Sequence, residues 1–265
     1  MTIVNQQYRK LNPAGANPRE ISDVVNNLLD GKSNNVGYIT LATGWATSTT
    51  IYNERIGYDS IILLTPSTNA AEADTAPYGA FQDTTDQTAA SANTAYAINF
   101  NTTDLSNGIY LSNSSRINVR NTGTYNLQFS AQFVNTDSQI HDIDIWLRKN
   151  GSDVSGTNGQ VSVPNKHGSV DGRILPAWNY VIDLTAGDYV QLIWNTTNTQ
   201  VSLEHIGTQT SPTRPSTASI IATMQYIAPL SMDNVLVTAQ TKGQATVSHF
   251  ANDTADKTYK YLVVG

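Results

Sequence analysis

The chain has 265 residues, a formal net charge of -6 from 15 Lys and Arg against 21 Asp and Glu, and no cysteine. The lack of thiols excludes disulfides, zinc–thiolate sites and a thiol nucleophile, and the acidic balance argues against a nucleic-acid binder, which needs a basic stripe. Only 14% of residues are charged, so Asn, Thr, Ser and Gln must supply the polar surface, a composition suited to packing against other proteins or to binding sugars.

The N-terminus "MTIVNQQYRKLNP" lacks the apolar stretch of a signal peptide, and the longest aliphatic run, "IILL", is too short to span a bilayer. The expectation is a protein made in a cytoplasm, without a signal peptide and without membrane insertion. Residues 1–17 are polar and aperiodic and read as an N-terminal arm. The stretch "NPREISDVVNNLLDG" predicts a helix over 18–30, with Asn17 as N-cap, Pro18 at the first helical position, Glu20 completing a capping box and Gly31 as the stop. Ile21, Val24, Val25, Leu28 and Leu29 recur three and four apart and make one apolar stripe. Such a stripe needs a cover, either from its own domain or from a three-helix bundle between copies, so these five residues are the candidate oligomer or anchor helix.

From Val36 onward the pattern is β. "VGYITLAT" and "TSTTIY" predict short strands around a turn at Gly44, and "YDSIILLTP" a strand buried on both faces and ended by Pro66. The following Ala, Thr and Asp-rich stretch has little period and predicts a boundary near 78–95, with a linker at about 79–93. In "GTYNLQFSAQFV", Tyr125, Leu127, Phe129, Ala131 and Phe133 share one face. "HDIDIWLRKNGSDV" repeats the device with Ile143, Ile145 and Leu147 and turns at Asn150 and Gly151. "NYVIDLTAGDYVQLIW" gives two strands around Ala186 and Gly187, and "STASIIATMQYI" the last β run before Pro229. Short strands at this spacing, with no helical period among them, predict a mainly β chain with a β-sandwich or jelly roll.

In order, Thr122-Gly123-Thr124-Tyr125 before an alternating strand, Arg148-Lys149-Asn150-Gly151 at a hairpin, Leu184 with Ala186-Gly187-Asp188 and Val190, and a final strand from Ser219 resemble the tumour-necrosis-factor-like and complement-globular-head-like jelly rolls. The resemblance covers roughly residues 93–228. It implies a ten-strand jelly roll that forms compact trimers and binds a partner through exposed loops. The chain departs from animal members in lacking Cys and a collagen-like stalk, so their ligands are not carried over. "REISDVVNNLLDGKSNNVGYITLAT" with "RIGYDSIILLTPSTNAAEA" resembles a small β module of tailed-bacteriophage structural proteins. The closing pattern of that module stands much later here, at Lys242, Gly243, Thr246, His249, Asn252, Asp256, Thr258, Tyr261 and Gly265. The two resemblances imply a discontinuous anchoring β domain, 18–78 and 232–265, with the jelly-roll domain, 79–231, inserted at a loop tip. The final strand "KTYKYLVVG" would close the first domain, with "QATVSHF" or "DSIILLTP" beside it.

No phosphate-cradling glycine loop, zinc-protease helix or nucleophile elbow is present. His141, His167, His205 and His249 fall at no ligand spacing from one another, and His249 reads as a structural hydrogen-bonding group. No catalytic, metal or cofactor site is expected, and the protein reads as a non-enzyme. Asp142 and Asp144 share one strand face with Trp146 and Arg148; paired carboxylates or calcium ligands are conceivable there, and solvated carboxylates are the favoured reading. The candidate receptor-facing residues sit on two long polar loops. Asn165, Lys166 and His167 mark the tip of the first, Trp178 and Tyr180 the point where strand structure resumes, and Glu204 and His205 the second. Aromatic and amide side chains suit sugars, although Trp178 and Tyr180 also fit a core or trimer interface.

The expected function is a structural virion protein of a tailed phage: a homotrimer anchored to other virion proteins by the N/C-terminal module, displaying a jelly roll for host-surface attachment, with a host glycan as the candidate ligand. A capsid decoration or head fibre protein is the first alternative. A glycan-cleaving tail enzyme is the second.

Overall fold

Two hydrophobic cores form, because the chain's inward-facing residues fall into two groups that never mix. The structure, a computed structural model, describes residues 10–30, 33–72, 76–227 and 235–265. Arm residues 1–9, the predicted helix stop at Gly31 and the junctions at 73–75 and 228–234, with Pro229 and Met232, lie outside the described residues. The chain divides into two compact units, residues 1–75 with 231–265 and residues 76–230. The protein is mainly β, with one N-terminal helix of any length.

Unit 76–230 is a jelly-roll sandwich. Its first sheet runs in the order Ala177–Leu184, Gly123–Ala131, Ile220–Tyr226, Tyr78–Asp83, Thr102–Asn107. The second runs Gly159–Val163, His141–Lys149, Tyr189–Thr196, Arg116–Val119, Ile109–Ser112. All these pairings are antiparallel, and successive strands switch sheets, so that 123–131 and 177–184 lie in one and 141–149 and 189–196 in the other. Alternation then does the packing. Tyr125, Leu127, Phe129 and Ala131 from one sheet share a core with Ile143, Ile145, Leu147, Leu192 and Trp194 from the other. A one-residue slip would turn every one of them outward, so the hydrophobic pattern fixes the register. The buried Tyr125 hydroxyl donates to the Asn121 carbonyl at 2.6 Å, and burial pushes its ionisation well above the usual tyrosine range.

The linker predicted at 79–93 is instead structural. Tyr78–Asp83 pairs with Ile220–Tyr226 on one side and Thr102–Asn107 on the other, and Gln87–Thr88 pairs with Val201–Leu203. The inward positions of the first of these strands are Gly79, Phe81 and Asp83, so Phe81 is its one strong apolar signal. A Cβ on Gly79 would lie 2.6 Å from the Phe81 ring, so the glycine makes room for it. Asp83 is buried but satisfied, its carboxylate accepting from the Thr85 amide and hydroxyl at 2.7 and 2.6 Å and from Gln87 Nε2 at 3.3 Å.

The other unit packs two three-stranded sheets. One has the order Val36–Thr40, Thr258–Val264, Ile61–Pro66, and the other Ala46–Tyr52, Gln244–Asn252, Leu236–Thr241. The last strand of the chain is therefore central, beside the "IILL" strand. "QATVSHF" is not its neighbour: residues 253–257 carry the chain across to the opposite sheet, which lets both strands bury alternate faces. Nor is "IILL" buried on both faces. Ile62 and Leu64 pack on the core, while Ile61 and Leu63 are 61% and 54% exposed, because this strand lies at the sheet edge with one face uncovered. His249 is buried, with Nε2 2.8 Å from Thr49 Oγ1 and Nδ1 2.7 Å from the Phe250 carbonyl oxygen.

The helix spans Pro18–Leu29, and Asn17 and Glu20 form the predicted capping box. It buries none of its residues: Leu28 and Leu29 are 70% and 79% exposed, and Ile21 and Val25 are also exposed. Among the described residues no helix is long and apolar enough to cross a membrane.

Candidate functional site

The seven candidate loop residues fall into three different settings. Trp178 and Tyr180 are not loop groups. They lie on strand Ala177–Leu184, opposite Phe129 and Leu127, and face inward. The Phe129 ring lies 5.8 Å from Trp178 and 6.1 Å from Tyr180, and a Cβ on Gly159 would stand 2.2 Å from the Trp178 ring. Tyr180 Oη donates to the Thr157 carbonyl at 2.9 Å, and burial pushes its ionisation up to about 12. These aromatics close the sandwich, which corrects their assignment as receptor-facing.

On the first loop, Asn165 Nδ2 donates to the Lys166 carbonyl at 3.1 Å and Lys166 pairs with Asp171 at 3.0 Å, leaving His167 as the exposed member. On the second, both oxygens of Glu204 are held by Arg173, whose Nε and Nη2 donate at 2.7 and 2.8 Å. This fork holds the guanidinium proton still more firmly than usual. The His205 backbone N–H donates to Asp86 at 2.7 Å, and its Nδ1 lies 2.8 Å from the Thr217 carbonyl oxygen. Their polar groups are largely spent on fixing the loops.

A better-formed site stands on the outer face of the second sheet. With Ile143, Ile145 and Leu147 directed inward, strand parity turns Asp144, Trp146 and Arg148 outward. Across the ladder Asp144 lies opposite Asn195, and Trp146 opposite Ile193, which is fully buried although it is on this outer face. The hairpin at Asn150 and Gly151, with φ of 48° and 85°, uses the left-handed pair that a tight two-residue turn requires. It returns the chain so that Asp153 pairs with Arg148. The next segment is pinned: Val154 N donates to the Leu147 carbonyl at 2.9 Å, Leu147 N to Thr157 Oγ1 at 3.0 Å, and Thr157 Oγ1 to the Val154 carbonyl at 2.7 Å.

Between this rim and the sheet lies an open groove of about 380 Å³, lined by Asp144, Trp146, Asp153, Asn158, Asn195 and the 154–156 turn. Trp146 Nε1 donates to Asp153 Oδ1 at 2.8 Å, and Arg148 Nε donates to the same oxygen at 2.7 Å. The bond from Arg148, then that from Trp146, holds the Asp153 carboxyl below the usual carboxylate range. Asn158 Nδ2 donates to Asp144 Oδ1 at 3.1 Å. Among the described residues the second Asp144 oxygen and the Asn195 side-chain amide carry no hydrogen bond. An aromatic plane, carboxylate acceptors and an open amide around a small groove can hold a hydroxyl-rich ligand. Among the described residues no group of three His, Asp or Glu side chains gathers that could hold a metal ion. The readable signal for this site was Trp146 itself, a large aromatic at an outward-facing strand position.

The N/C-terminal unit offers surface of a different kind. Register aligns Val36, Leu262 and Leu63 across its three-stranded sheet, with Val264 and Ile61 adjacent, and all five are exposed on the outer face. The bare helix stripe belongs to the same unit. No known family model matches the chain, and no curated protein matches it.

Proposed function

We propose that this protein is a structural component of a tailed-phage virion, a homotrimer anchored to other virion proteins by its N/C-terminal unit and displaying the jelly roll for attachment to the host surface. The main support is the contrast between the two units' surfaces. The N/C-terminal unit leaves an apolar helix stripe and a row of aliphatic side chains uncovered, and apolar patches of that kind mark association surfaces. On the first sheet of the jelly roll, Asn126, Gln128 and Gln225 instead interrupt the exposed aliphatics, and the solvent-facing side of its second sheet carries a polar groove. Three copies presented together would gain avidity for a weak surface ligand without any new contact.

Binding fits the groove better than cleavage. Glycoside hydrolysis needs one carboxyl kept protonated near neutral pH, and the bonds from Arg148 and Trp146 push Asp153 in the opposite direction, which does not suit Asp153 to that role. Light scattering of the purified protein tests the assembly: a mass of three chains is expected, and a mass of one chain at micromolar concentration would overturn it. Adherence of labelled trimer to host cells, with no release of reducing sugar from host polysaccharide, is the expected companion result.

A further inference from the structure

We infer that the Trp146 groove is a subsite for one uncharged or amino-bearing sugar residue at the end of a surface glycan, and that it discriminates against acidic sugars. The inference rests on the attachment reading and names its ligand class and the side chains that select it.

The aromatic platform is fixed before any ligand arrives. The Trp146 indole is tethered through Nε1 to Asp153, and Arg148 braces that carboxylate. The 150–158 rim is held by its own hydrogen bonds to strand His141–Lys149. Little ordering cost is then left for binding, which matters most for a ligand that offers few contacts. A sugar ring presents an apolar C–H face that matches an indole plane, with hydroxyls around its edge.

The edge contacts are also in place. Asp144 and Asn195 are direct cross-strand partners, so their side chains rise side by side, about 4.5–5.5 Å apart at Cβ. One offers an acceptor oxygen without a hydrogen bond among the described residues, and the other both donors and an acceptor. A neutral hydroxyl can serve both, and neighbouring hydroxyls on one ring can serve them together. The volume of about 380 Å³ lies near the lower end of the ~300–1,000 Å³ usual for small-molecule sites, which suits a single sugar residue rather than a long stretch of chain.

Charge sets the selectivity. Among the described residues the groove is lined by two carboxylates, Asp144 and Asp153, and by no Lys or Arg side chain; Arg148, beside it, pairs through Nε with Asp153. An ionised carboxylate only accepts hydrogen bonds, so the ligand must supply donors. Hydroxyls and an ammonium do so, whereas a uronic or sialic acid would bring a further negative charge to a groove whose lining, among the described residues, holds two carboxylates and no basic side chain.

Tryptophan fluorescence and calorimetric titrations of the full-length protein would test this, using methyl glucoside, methyl galactoside, methyl mannoside and galactosamine against glucuronic and galacturonic acids. Binding of at least one neutral or amino sugar with Kd around the millimolar scale is expected, and at least tenfold weaker binding of the acids. Trp146→Ala should remove the response. Asp144→Lys should reverse the preference toward the acids, a gain that a merely misfolded variant could not produce. Acids bound as tightly as neutral sugars, binding unchanged in Trp146→Ala, or no response to any of the sugars would overturn the proposal. Host-cell adherence that persists in Trp146→Ala would refute the subsite and leave attachment standing. Sugar binding in solution without adherence would do the reverse.

Discussion

Deleting Thr258–Gly265 should unfold the N/C-terminal unit and leave the jelly roll standing. That strand is the centre of its sheet, pairing with Val36–Thr40 and Ile61–Pro66, and it sends Tyr259, Tyr261 and Val263 into the core, each less than 5% exposed. At ~1.5–3 kcal/mol for each large side chain buried, the three are worth roughly 5–9 kcal/mol before either hydrogen-bond ladder is counted. A whole small domain is stable by only about 5–15 kcal/mol, so the unit should not survive the loss. The jelly-roll core contains no residue from this segment. Calorimetry of the intact and truncated proteins should show one transition lost and the other unshifted, and limited proteolysis should leave a resistant fragment close to residues 76–230. If the jelly-roll transition falls as well, or if both transitions persist, the independence of the two cores is wrong.

Three further outcomes follow from particular contacts. Asp188 is held down to about 2 by the Thr185 backbone N–H, then by Asn150 and Lys149. A depressed carboxyl stabilises the fold above its unfolded value near 3.9, and that contribution is lost as pH falls through the folded value. Screening at this rim position leaves it at about 1 kcal/mol, so Asp188→Asn should flatten the acid limb of a stability–pH curve between about pH 4 and 2. Gly172→Ala would place a Cβ 1.9 Å from the Pro164 carbonyl oxygen, a backbone atom that cannot swing aside. Chemical denaturation should show a loss at or above the upper end of the ~1–3 kcal/mol typical of overpacking, and a wild-type midpoint would count against the packing described. Leu28→Glu with Leu29→Glu, at positions already solvent-exposed in the single chain, should leave both melting transitions in place while lowering the mass by light scattering from three chains to one.

The elements most readable in the sequence are those whose signals are local or strictly alternating. Asn17, Pro18 and Glu20 define a helix start within four residues, and Tyr125, Leu127, Phe129 and Ala131 define an inner face by parity alone, whereas Phe133, read as the end of that face, is buried on a separate strand, Phe133–Asn135, in another sheet. Strand Tyr78–Asp83 escaped because a glycine and a hydrogen-bonded aspartate take two of its three inner positions, so apolar alternation is missing where burial is real. Trp178 and Tyr180 were decidable: they share parity with Ile182 and Leu184, which marks them as inward. The place of the last strand was not, since a connection of five residues serves a hairpin and a crossing between sheets equally well. The groove was half visible. Trp146 faces outward by parity, but its meeting with Asn158 and Asn195 depends on a hairpin rim and a cross-strand register that no local pattern specifies.

The most direct test of the central claim is electron microscopy of particles purified from a lysate in which the chain is made, labelled with gold-conjugated antibody against the jelly roll. Label on the tail or its fibres is the predicted result. Label confined to the head would move the protein to the shell, and particles that carry no copy of the chain would contradict the account outright.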